Sequence, residues 1–560
     1  MPTEPPLNRR AALAIGSALL LVVHVGMALR MRWFSVLADE AGYLGNGRWL
    51  ASAGPVWPMG KSSFYSFGYG VALIPVNLVT TSPRGVYTGA LITNSILMVS
   101  LFPLLAVAAR RFFDATDRAA IAGAAAASLY PAVLLQSNVA WSESLVMPLT
   151  VTLFLAVHSL VDDHVHWYDI AAVGTVTGLL TWAHPRFIPV AAVVVLFLAV
   201  SAWHRWISST QAVVNAVVLA VLGALGLIVS SRIRNDRWDE VDSPPSSGNY
   251  FKAVLHPRAL LGQLSGEMWY LVTGSLGLAA IGVAAFVFRI RSDAGPRRLT
   301  AAFVLAVAAV IAALSVLSSY ATATRPDQLV YGRYNEATIP MLICAGAVFL
   351  LQVKRRQRSS ALLIAAAASA ALAAATLVLR GSSRFDTGWN SLNVLAIGPW
   401  IHHVERHVIV AATLAAVAVM IVATVISARA AVVALAVMSC CLVVGAAVTF
   451  QSRLVDAQKQ YEHWSIPDQM KAFDSIKLAA YDESPGSLTQ VGMWGYPMFL
   501  PHTRIVPYNA SRGERPAPGT QLVIAGMGAA PPAGAESARL ALVDDRMQQK
   551  FWLLPAGATP

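Results

Sequence analysis

The 560-residue sequence is 56% hydrophobic and only 12% charged, with a formal net charge of +12. Soluble globular proteins carry about 25% charged residues, so the composition excludes that class and indicates a polytopic membrane protein. Apolar runs of about twenty residues favour α-helical spans over a β-barrel, whose strands would alternate over about ten residues. The basic excess is explained by cytoplasmic loops, and no basic stretch with interleaved aromatic residues indicates nucleic-acid binding.

Thirteen apolar runs are predicted to be transmembrane helices, beginning with a first span that lacks the cleavage pattern of a signal peptide. The runs are residues 11–29, 86–109, 119–135, 145–161, 170–183, 188–203, 213–230, 269–288, 301–317, 339–352, 362–379, 408–426 and 430–450. Lysine and arginine gather in alternate connections, which by the positive-inside rule predicts a cytoplasmic N-terminus. The abundance of Ala, Val, Gly and Arg over Lys indicates a GC-rich bacterial genome, and hence a bacterial plasma membrane.

Residues 31–85 are predicted to form a first outer loop that is too long for a plain connection. Its segments 42–53 and 68–80 are amphipathic and have aromatic neighbours, which predicts helices lying in the membrane interface. Just before them, residues 37–43 (LADEAGY) are interpreted as an active-site loop, because Asp39 and Glu40 place two carboxylates beside the bilayer. The alternative is a helix-capping acidic pair on a solvated loop.

The composition changes after residue 450, where the apolar runs end and Lys, Gln, Asp, Gly and Pro become frequent. We therefore expect a transmembrane domain over residues 1–450 and a small extracytoplasmic α/β domain over residues 451–560. Within the second, residues 455–480 are predicted to form a helix. Short strands separated by Gly and Pro turns are predicted at residues 489–493, 521–525, 540–543 and 551–554.

Four more charged residues are predicted to lie at the same outer face. They are Lys61 in GKSSFYSFGYG, Glu143 in NVAWSESLVMP, Arg186 in TWAHPRF and Arg333 in YGRYNEATIP. Charged groups at the membrane edge are costly unless they are paired or functional, so we expect them to share a site with the acidic pair. The structural alternatives are a snorkelling lysine, a carboxylate on a helix N-terminus and arginines in plain ion pairs.

The order of these features resembles the GT-C superfamily of glycosyltransferases that use polyprenyl-phosphate sugars. The shared features are an acidic pair after the first helix, interface helices, a later acidic helix start, a Pro-Arg after a short span and an Arg-Tyr before a late helix. Over residues 11–350 the chain is most similar to bacterial aminoarabinose transferases and protein O-mannosyltransferases, and to actinobacterial arabinosyl- and mannosyltransferases. It departs from the first group where Lys61-Ser62-Ser63 replaces Lys-Pro-Pro.

The resemblance implies a role for each candidate residue. Asp39 would be the catalytic base, with Glu40 beside it as a second catalytic candidate in the acceptor or metal neighbourhood. Glu143 would be the second acid of the pocket, and cations would hold the lipid phosphate. The substrate-binding candidates are Lys61, Tyr43, Glu143, Arg186, Arg333 and Tyr334. A divalent cation, Mg²⁺ or Mn²⁺, stays an open alternative because no all-oxygen ligand set with recognisable spacing is present.

The predicted function is an inverting glycosyltransferase that moves an arabinose- or mannose-type sugar from a polyprenyl-phosphate donor to a cell-envelope glycan, lipid or protein. A carboxylate takes the proton of the acceptor hydroxyl, and Arg or Lys stabilises the leaving phosphate. One alternative is a transporter or flippase of a lipid-linked precursor, which would hold its ionisable groups near the bilayer midplane. Another is a non-catalytic assembly partner in which these charges are structural.

Overall fold

The computed structural model describes residues 8–60, 62–161, 169–238, 255–322, 325–386, 388–427, 430–459, 464–484, 489–532 and 537–555. Within these ranges, nine helices are long and apolar enough to cross a membrane, or ten if one bent pair forms a single span. The chain is therefore a multi-pass helical membrane protein, as its composition predicts. Three of the thirteen predicted runs, at 119–135, 170–183 and 339–352, form helices shorter than that length.

The helices are numbered here in chain order. They are α1 Arg9–Ala28, α2 Leu37–Leu50, α3 Gly68–Ala72, α4 Ile74–Val79, α5 Pro83–Phe113, α6 Asp117–Ser128, α7 Pro131–Gln136, α8 Glu143–Leu160, α9 Asp169–Ala183, α10 Ile188–Trp203, α11 Ser209–Arg237, α12 Pro257–Gly274, α13 Leu278–Ser292, α14 Gly295–Thr322, α15 Pro326–Leu329, α16 Ile339–Gln352, α17 Arg355–Arg380, α18 Gly398–His403, α19 Val408–Ser427, α20 Ala431–Thr449, α21 Asp456–Lys459, α22 Ile466–Gln469 and α23 Thr489–Phe499. Single 3₁₀ turns lie at Pro185–Phe187, Asn335–Ala337, Ser382–Phe385, Ser391–Asn393, Leu395–Ile397, Glu405–His407, Met470–Phe473 and Ala510–Arg512, and a π-helical turn lies at Phe450–Val455.

Two predicted spans are interrupted. The run 119–135 divides into α6 and α7 at Tyr130, whose extended backbone (ψ 135°) is the conformation favoured before Pro131. The run 269–288, predicted as one span, is instead the junction of α12 and α13, which meet at 100°. Leu276 and Gly277 have φ of 52° and 82° at that junction, and a right-handed helix cannot continue through left-handed residues.

The segment predicted as an active-site loop is helical. Residues 37–43 form the first two turns of α2, so the helix expected from residue 42 begins five residues earlier. The reason is local, because Glu40 accepts hydrogen bonds from the backbone N–H groups of Ser35 (2.6 Å) and Val36 (2.8 Å) just before the helix. The second predicted interface helix, 68–80, is divided into the short helices α3 and α4.

A five-stranded sheet follows the last membrane helices. Its strands are β1 Leu478–Asp482, β2 Arg504–Tyr508, β3 Leu522–Gly526, β4 Arg539–Asp544 and β5 Gln549–Leu553, in the spatial order β2-β1-β3-β5-β4. Strand β1 pairs in parallel with β2 and β3, whereas β5 is antiparallel to both β3 and β4. The small α/β unit predicted from the sequence is confirmed, together with the strands expected near residues 521, 540 and 551.

Two local predictions in this unit are wrong, and one strand has no predicted counterpart. In the described parts of residues 455–480 the expected helix is reduced to the short helices α21 and α22 and single turns, and the segment ends in β1. The expected strand 489–493 lies in α23, and the sequence does not predict β2. Strand β1 lies between two other strands and is apolar on both faces, with Ala479, Ala480 and Tyr481 all buried. It therefore lacks the alternation that marks a half-exposed strand.

The sheet unit packs on the segment between α1 and α5. The ring of Trp33 stacks on Phe499 with centroids 4.4 Å apart, and Trp494 Nε1 donates to the carbonyl of Met59 at 2.9 Å. Arg48 on α2 donates to the carbonyl of Pro501. The sheet unit and helix α2 therefore lie at the same end of the helical bundle.

Candidate active site

Arg333 is the centre of a buried charge cluster that joins three distant parts of the chain. Its Nη1 donates to Asp39 Oδ2 at 2.7 Å, while its Nε and Nη2 donate to the two oxygens of Glu143 at 2.8 and 3.3 Å. The guanidinium also lies over the ring of Trp141, 3.9 Å from the centroid. One arginine therefore fixes two carboxylates that are more than a hundred residues apart in sequence.

The backbone that carries Arg333 is held by a later segment of the chain. The N–H groups of Gly332 and Arg333 both donate to the carbonyl of Asn393 at 3.1 Å. The amide of Asn393 in turn donates to the buried Asp327 at 2.8 Å. Burial acts to lower the pKa of Arg333, but the charges of Glu143 and Asp39 outweigh it and hold that pKa well above its usual value. The arginine is therefore both positioned and permanently charged.

Asp39 is the accessible carboxylate of the cluster. Its side chain is 20% exposed, against 1% for Glu143. Besides Arg333, it accepts a hydrogen bond from the hydroxyl of Tyr65 at 3.0 Å on Oδ1. Burial and the neighbouring charge of Asp39 raise the pKa of Tyr65, so the phenol stays protonated and acts as a donor. Asp39 is thus oriented by two donors and still open to a ligand.

Arg186 contacts the same oxygen of Glu143 as Arg333 does, and its guanidinium is incompletely hydrogen-bonded. Its Nη1 lies 3.4 Å from Glu143 Oε1, and its guanidinium lies 4.9 Å from the ring centroid of Tyr334. The side chain is only 4% exposed, yet Nε and Nη2 find no hydrogen-bond partner among the described residues. Buried guanidinium donors without acceptors are costly, so this arrangement favours the binding of an anion.

Glu40, the second acid of the predicted pair, is bound elsewhere. Besides the N–H groups of Ser35 and Val36, it accepts hydrogen bonds from Ala140 N (2.8 Å) and Tyr87 Oη (3.1 Å). These four bonds occupy all the acceptor positions of a carboxylate. Burial raises the pKa of Glu40 to about 7, although the four donors act in the opposite direction. Its observed contacts are those of a group that joins α2 to α5 and to the segment before α8.

Of the remaining predicted site residues, two lie beside the charge cluster and one lies outside the described residues. The hydroxyl of Tyr43 lies 2.9 Å from Ser142 Oγ, and its ring packs edge-on against Tyr65. Tyr334 packs between Arg186 and the ring of Tyr331, 5.0 Å away. Lys61 lies outside the described residues. The structure therefore brings together Asp39, Glu143, Arg186 and Arg333, with Tyr43 and Tyr334 beside them.

Sequence reasoning missed three residues that the structure adds. Tyr65 orients Asp39, and Trp141 lies under Arg333. Glu336 is fully buried and accepts hydrogen bonds from Tyr270 and Gln136. Burial raises the pKa of Glu336 to about 8. Two of them could have been found from their closeness in sequence to predicted site residues, since Trp141 and Glu336 occur within the same short motifs as Glu143 and Arg333.

No set of three or more His, Cys, Asp or Glu side chains that could hold a metal ion occurs in the part of the chain that the structure describes. Within the cluster, Arg333 occupies the space between the carboxylates of Asp39 and Glu143. The described cluster contains two carboxylates and two guanidiniums, so its formal charge is balanced before any ligand binds.

Comparison with known proteins identifies the fold. Two crystal structures of ArnT from Cupriavidus metallidurans, one bound to undecaprenyl phosphate and one in the apo state, each match with a TM-score of 0.58. Each is 15% identical in sequence, and the match covers 98% of this chain and 99% of the other. No protein-family model and no curated protein sequence matches. The likeness over nearly the whole length confirms the GT-C type fold.

Proposed function

We propose that this protein is an inverting glycosyltransferase that moves a sugar from a polyprenyl-phosphate donor to an acceptor hydroxyl. The observation that carries the proposal is the cluster itself, in which an accessible carboxylate, Asp39, pairs with Arg333, and a buried cation with two unused donors, Arg186, shares Glu143 with Arg333. An acid–base group and an anion site are the two parts that this reaction needs. The ArnT structure bound to undecaprenyl phosphate supports a lipid-phosphate ligand.

In the proposed reaction, Asp39 accepts the proton of the acceptor hydroxyl while the acceptor oxygen attacks the anomeric carbon of the sugar. The bond from that carbon to the phosphate oxygen breaks, and the lipid phosphate leaves with the bonding electrons. A single in-line displacement inverts the anomeric configuration. The two bonds that Asp39 accepts, from Arg333 and Tyr65, orient the carboxylate without closing its exposed side.

Arg186 is proposed to bind the departing phosphate, because its Nε and Nη2 are already desolvated and aimed at no protein acceptor among the described residues. Preorganised donors of this kind stabilise charge as it develops on the leaving group. Glu143 holds Arg186 and Arg333 in place and is too buried to exchange protons with a substrate. Tyr43 and Tyr334 are proposed to shape the pocket. Lys61 is proposed to assist Arg186 in binding the phosphate.

Glu40 is proposed to be structural rather than catalytic, because its four acceptor positions are filled by Ser35, Val36, Ala140 and Tyr87. We further propose an arabinose- or mannose-type sugar and a cell-envelope glycan, lipid or protein as acceptor. The distribution of arginine and lysine supports a cytoplasmic N-terminus and a cluster on the outer face of a bacterial plasma membrane. The end of the apolar runs and the change of composition near residue 450 support the proposed division into a membrane domain at 1–450 and an extracytoplasmic domain at 451–560.

A transporter or flippase of a lipid-linked precursor is the second candidate. The helix pair α12 and α13, broken by a 100° bend, favours it, since transporters use interrupted helices at their binding sites. Among the described residues, none at the bend is a buried cation with unused donors, and for this reason we prefer the transferase.

The decisive experiment compares sugar transfer and lipid translocation in proteoliposomes. Purified protein receives radiolabelled polyprenyl-phosphate mannose, arabinose or glucose together with envelope acceptor fractions, and labelled products are separated from the donor. Wild type should transfer one of these sugars, whereas Asp39→Asn should lose at least about a hundredfold in rate, within the usual contribution of a general base. Asp468→Asn, at a side chain that is 81% exposed, is the matched control. Transfer by Asp39→Asn at the control rate, or donor flipping without transfer, would refute the proposal.

A further inference from the structure

A second cavity lies in the sheet unit, away from the charge cluster. Its volume is about 590 Å³, within the usual range for small-molecule sites. It is lined by the last residues of three strands and by the chain that follows each of them: Asp482 and then Ser484 at β1, Tyr508 and then Ala510 at β2, and Gly526 and then residues 528–532 at β3. Glu514 and Arg515 complete its rim. All three parallel strands therefore point their carboxyl ends at the same space.

The strand order makes this edge a natural binding position. The chain leaves β1 towards β2 on one side of the sheet, whereas it leaves β3 towards the β4–β5 hairpin on the other side. Between β1 and β3 the connections therefore diverge and open a crevice. In open sheets with parallel strands, ligands bind at the carboxyl ends of the strands at such a divergence.

Asp482 is the central polar group of the cavity. It is buried, and its Oδ1 accepts hydrogen bonds from Ser484 N (3.0 Å), Ser484 Oγ (2.6 Å) and Ala510 N (3.1 Å). Those three bonds fix the carboxylate and leave Oδ2 as its remaining acceptor for a ligand. Tyr508 packs in a small apolar cluster with Val523 and supplies an aromatic wall.

The charges at the cavity select the class of ligand. The cavity has a net negative charge, because two carboxylates, Asp482 and Glu514, face one guanidinium, Arg515. This charge disfavours the binding of an anion. A metal ion is disfavoured as well, because three donors already occupy Asp482 Oδ1 and no metal-binding cluster occurs in the described parts of the chain. A fixed carboxylate acceptor, an exposed guanidinium and an aromatic wall suit a neutral ligand with several hydroxyl groups.

We propose that this cavity binds a saccharide. That the saccharide is a unit of the acceptor rests on the proposed function. Hydroxyl groups of the sugar donate to Asp482 Oδ2 and accept from Arg515, while the ring lies against Tyr508. The location supports an acceptor subsite. Glu483, the next residue after β1, is so close to Gly60 that a Cβ at residue 60 would come within 2.8 Å of its Oε1. The end of β1, whose residues Asp482 and Ser484 line the cavity, therefore lies beside residue 60, five residues before Tyr65, the partner of Asp39.

Ligand-detected saturation-transfer NMR on the full-length protein in nanodiscs tests the proposal. The probes are neutral mannose-, arabinose-, galactose- and glucose-based trisaccharides, with inorganic phosphate as an anionic comparison. Asp482→Asn keeps an Oδ1 for the three internal donors but replaces the ligand acceptor with an amide, so saccharide affinity should fall about tenfold. Arg515→Gln, at an exposed rim residue, should weaken binding with no effect on folding, whereas Arg512→Gln, which is exposed and outside the cavity, should bind as wild type does.

The outcomes separate this proposal from the proposed function. Saccharide binding that persists in Asp39→Asn but weakens in both Asp482→Asn and Arg515→Gln supports the cavity, even if no sugar transfer is ever detected. Binding that is lost in Asp39→Asn would belong to the charge cluster and would overturn the proposal. Absence of any saccharide signal in wild type, or a preference for phosphate, would overturn it equally.

Discussion

The charge balance of the Arg333 cluster predicts that Glu143→Gln strongly destabilises the protein. Glu143 is 1% exposed and accepts bonds from Arg333 at 2.8 and 3.3 Å and from Arg186 at 3.4 Å. The substitution keeps the side-chain size but removes one of two carboxylates that face two buried guanidiniums. One positive charge is then left without a partner, and breaking a buried ion pair in this way costs about 3–5 kcal/mol.

The assay is equilibrium unfolding by urea and by heat of the detergent-solubilised variant. Glu405→Gln, at an exposed carboxylate, is the matched control and should stay within about 0.5 kcal/mol of wild type. The double variant Glu143→Gln/Arg186→Gln tests the cause, because removing one cation restores the balance. Its loss in the free energy of unfolding should be smaller than the sum of the single losses by about 1–3 kcal/mol. A Glu143→Gln protein as stable as the control, or strictly additive losses, would refute the reasoning.

Three further predictions concern the remaining groups of the site. Arg186→Gln removes the two unused guanidinium donors, so affinity for polyprenyl phosphate, measured by titration in nanodiscs, should fall about 10- to 100-fold. Tyr65→Phe removes the bond to Asp39 Oδ1, so kcat for transfer should fall about tenfold with KM for the donor little changed. Burial raises the pKa of Glu336 to about 8, so the folded protein holds this proton more tightly than the unfolded chain. The resulting stability is complete below about pH 4.5 and is lost as the pH rises towards 8. Glu336→Gln, whose amide can donate to the unpartnered Gln136 Oε1, should flatten this part of the profile of Tm against pH.

Each of these predictions has a control within the chain. Arg205→Gln, at an exposed residue, should bind the lipid phosphate as wild type does. Tyr496→Phe removes a similar phenol–carboxylate bond, to Asp544 at 2.8 Å, but in the sheet unit, so it should leave kcat unchanged. Glu405→Gln should keep the wild-type dependence of Tm on pH. Equal behaviour of a site variant and its control would count against the corresponding assignment.

The candidate site could be anticipated because charge is rare in this sequence. Asp39, Glu143, Arg186 and Arg333 each lie in a connection between apolar runs, and only a shared, paired environment makes such groups tolerable at a membrane edge. What could not be anticipated is the separation of roles between Asp39 and its neighbour. Successive residues of a helix point about 100° apart, so one carboxylate faces Arg333 and Glu40 faces Ala140. Which of the two carboxylates faces the cluster is therefore decided by residues that lie a hundred or more positions away in the sequence.

The fold was predictable where hydrophobicity alone determines an element. Most long apolar runs became helices close to the predicted ends, since only helices satisfy the backbone in lipid. The bend at Leu276–Gly277 was not predictable, because the apolar run continues through it. Only the positive φ angles of these two residues show that the backbone leaves the right-handed helical conformation there. In the sheet unit, the sequence predicts helix up to residue 480, although β1 begins at Leu478, because the two buried faces of β1 remove the alternation on which strand prediction depends.

The carbonyl of Asn393 accepts hydrogen bonds from the backbone N–H groups of Gly332 and Arg333. It thus links the charge cluster to a part of the chain beyond residue 350, where the sequence resemblance ends. The turn that presents this carbonyl, Ser391–Asn393, leads into the last two membrane helices. The backbone position of Arg333, which orders both carboxylates, thus depends on a residue in the final third of the sequence. A shortened protein that retains every recognisable motif but ends before this turn would keep the parts of the site and lose their alignment.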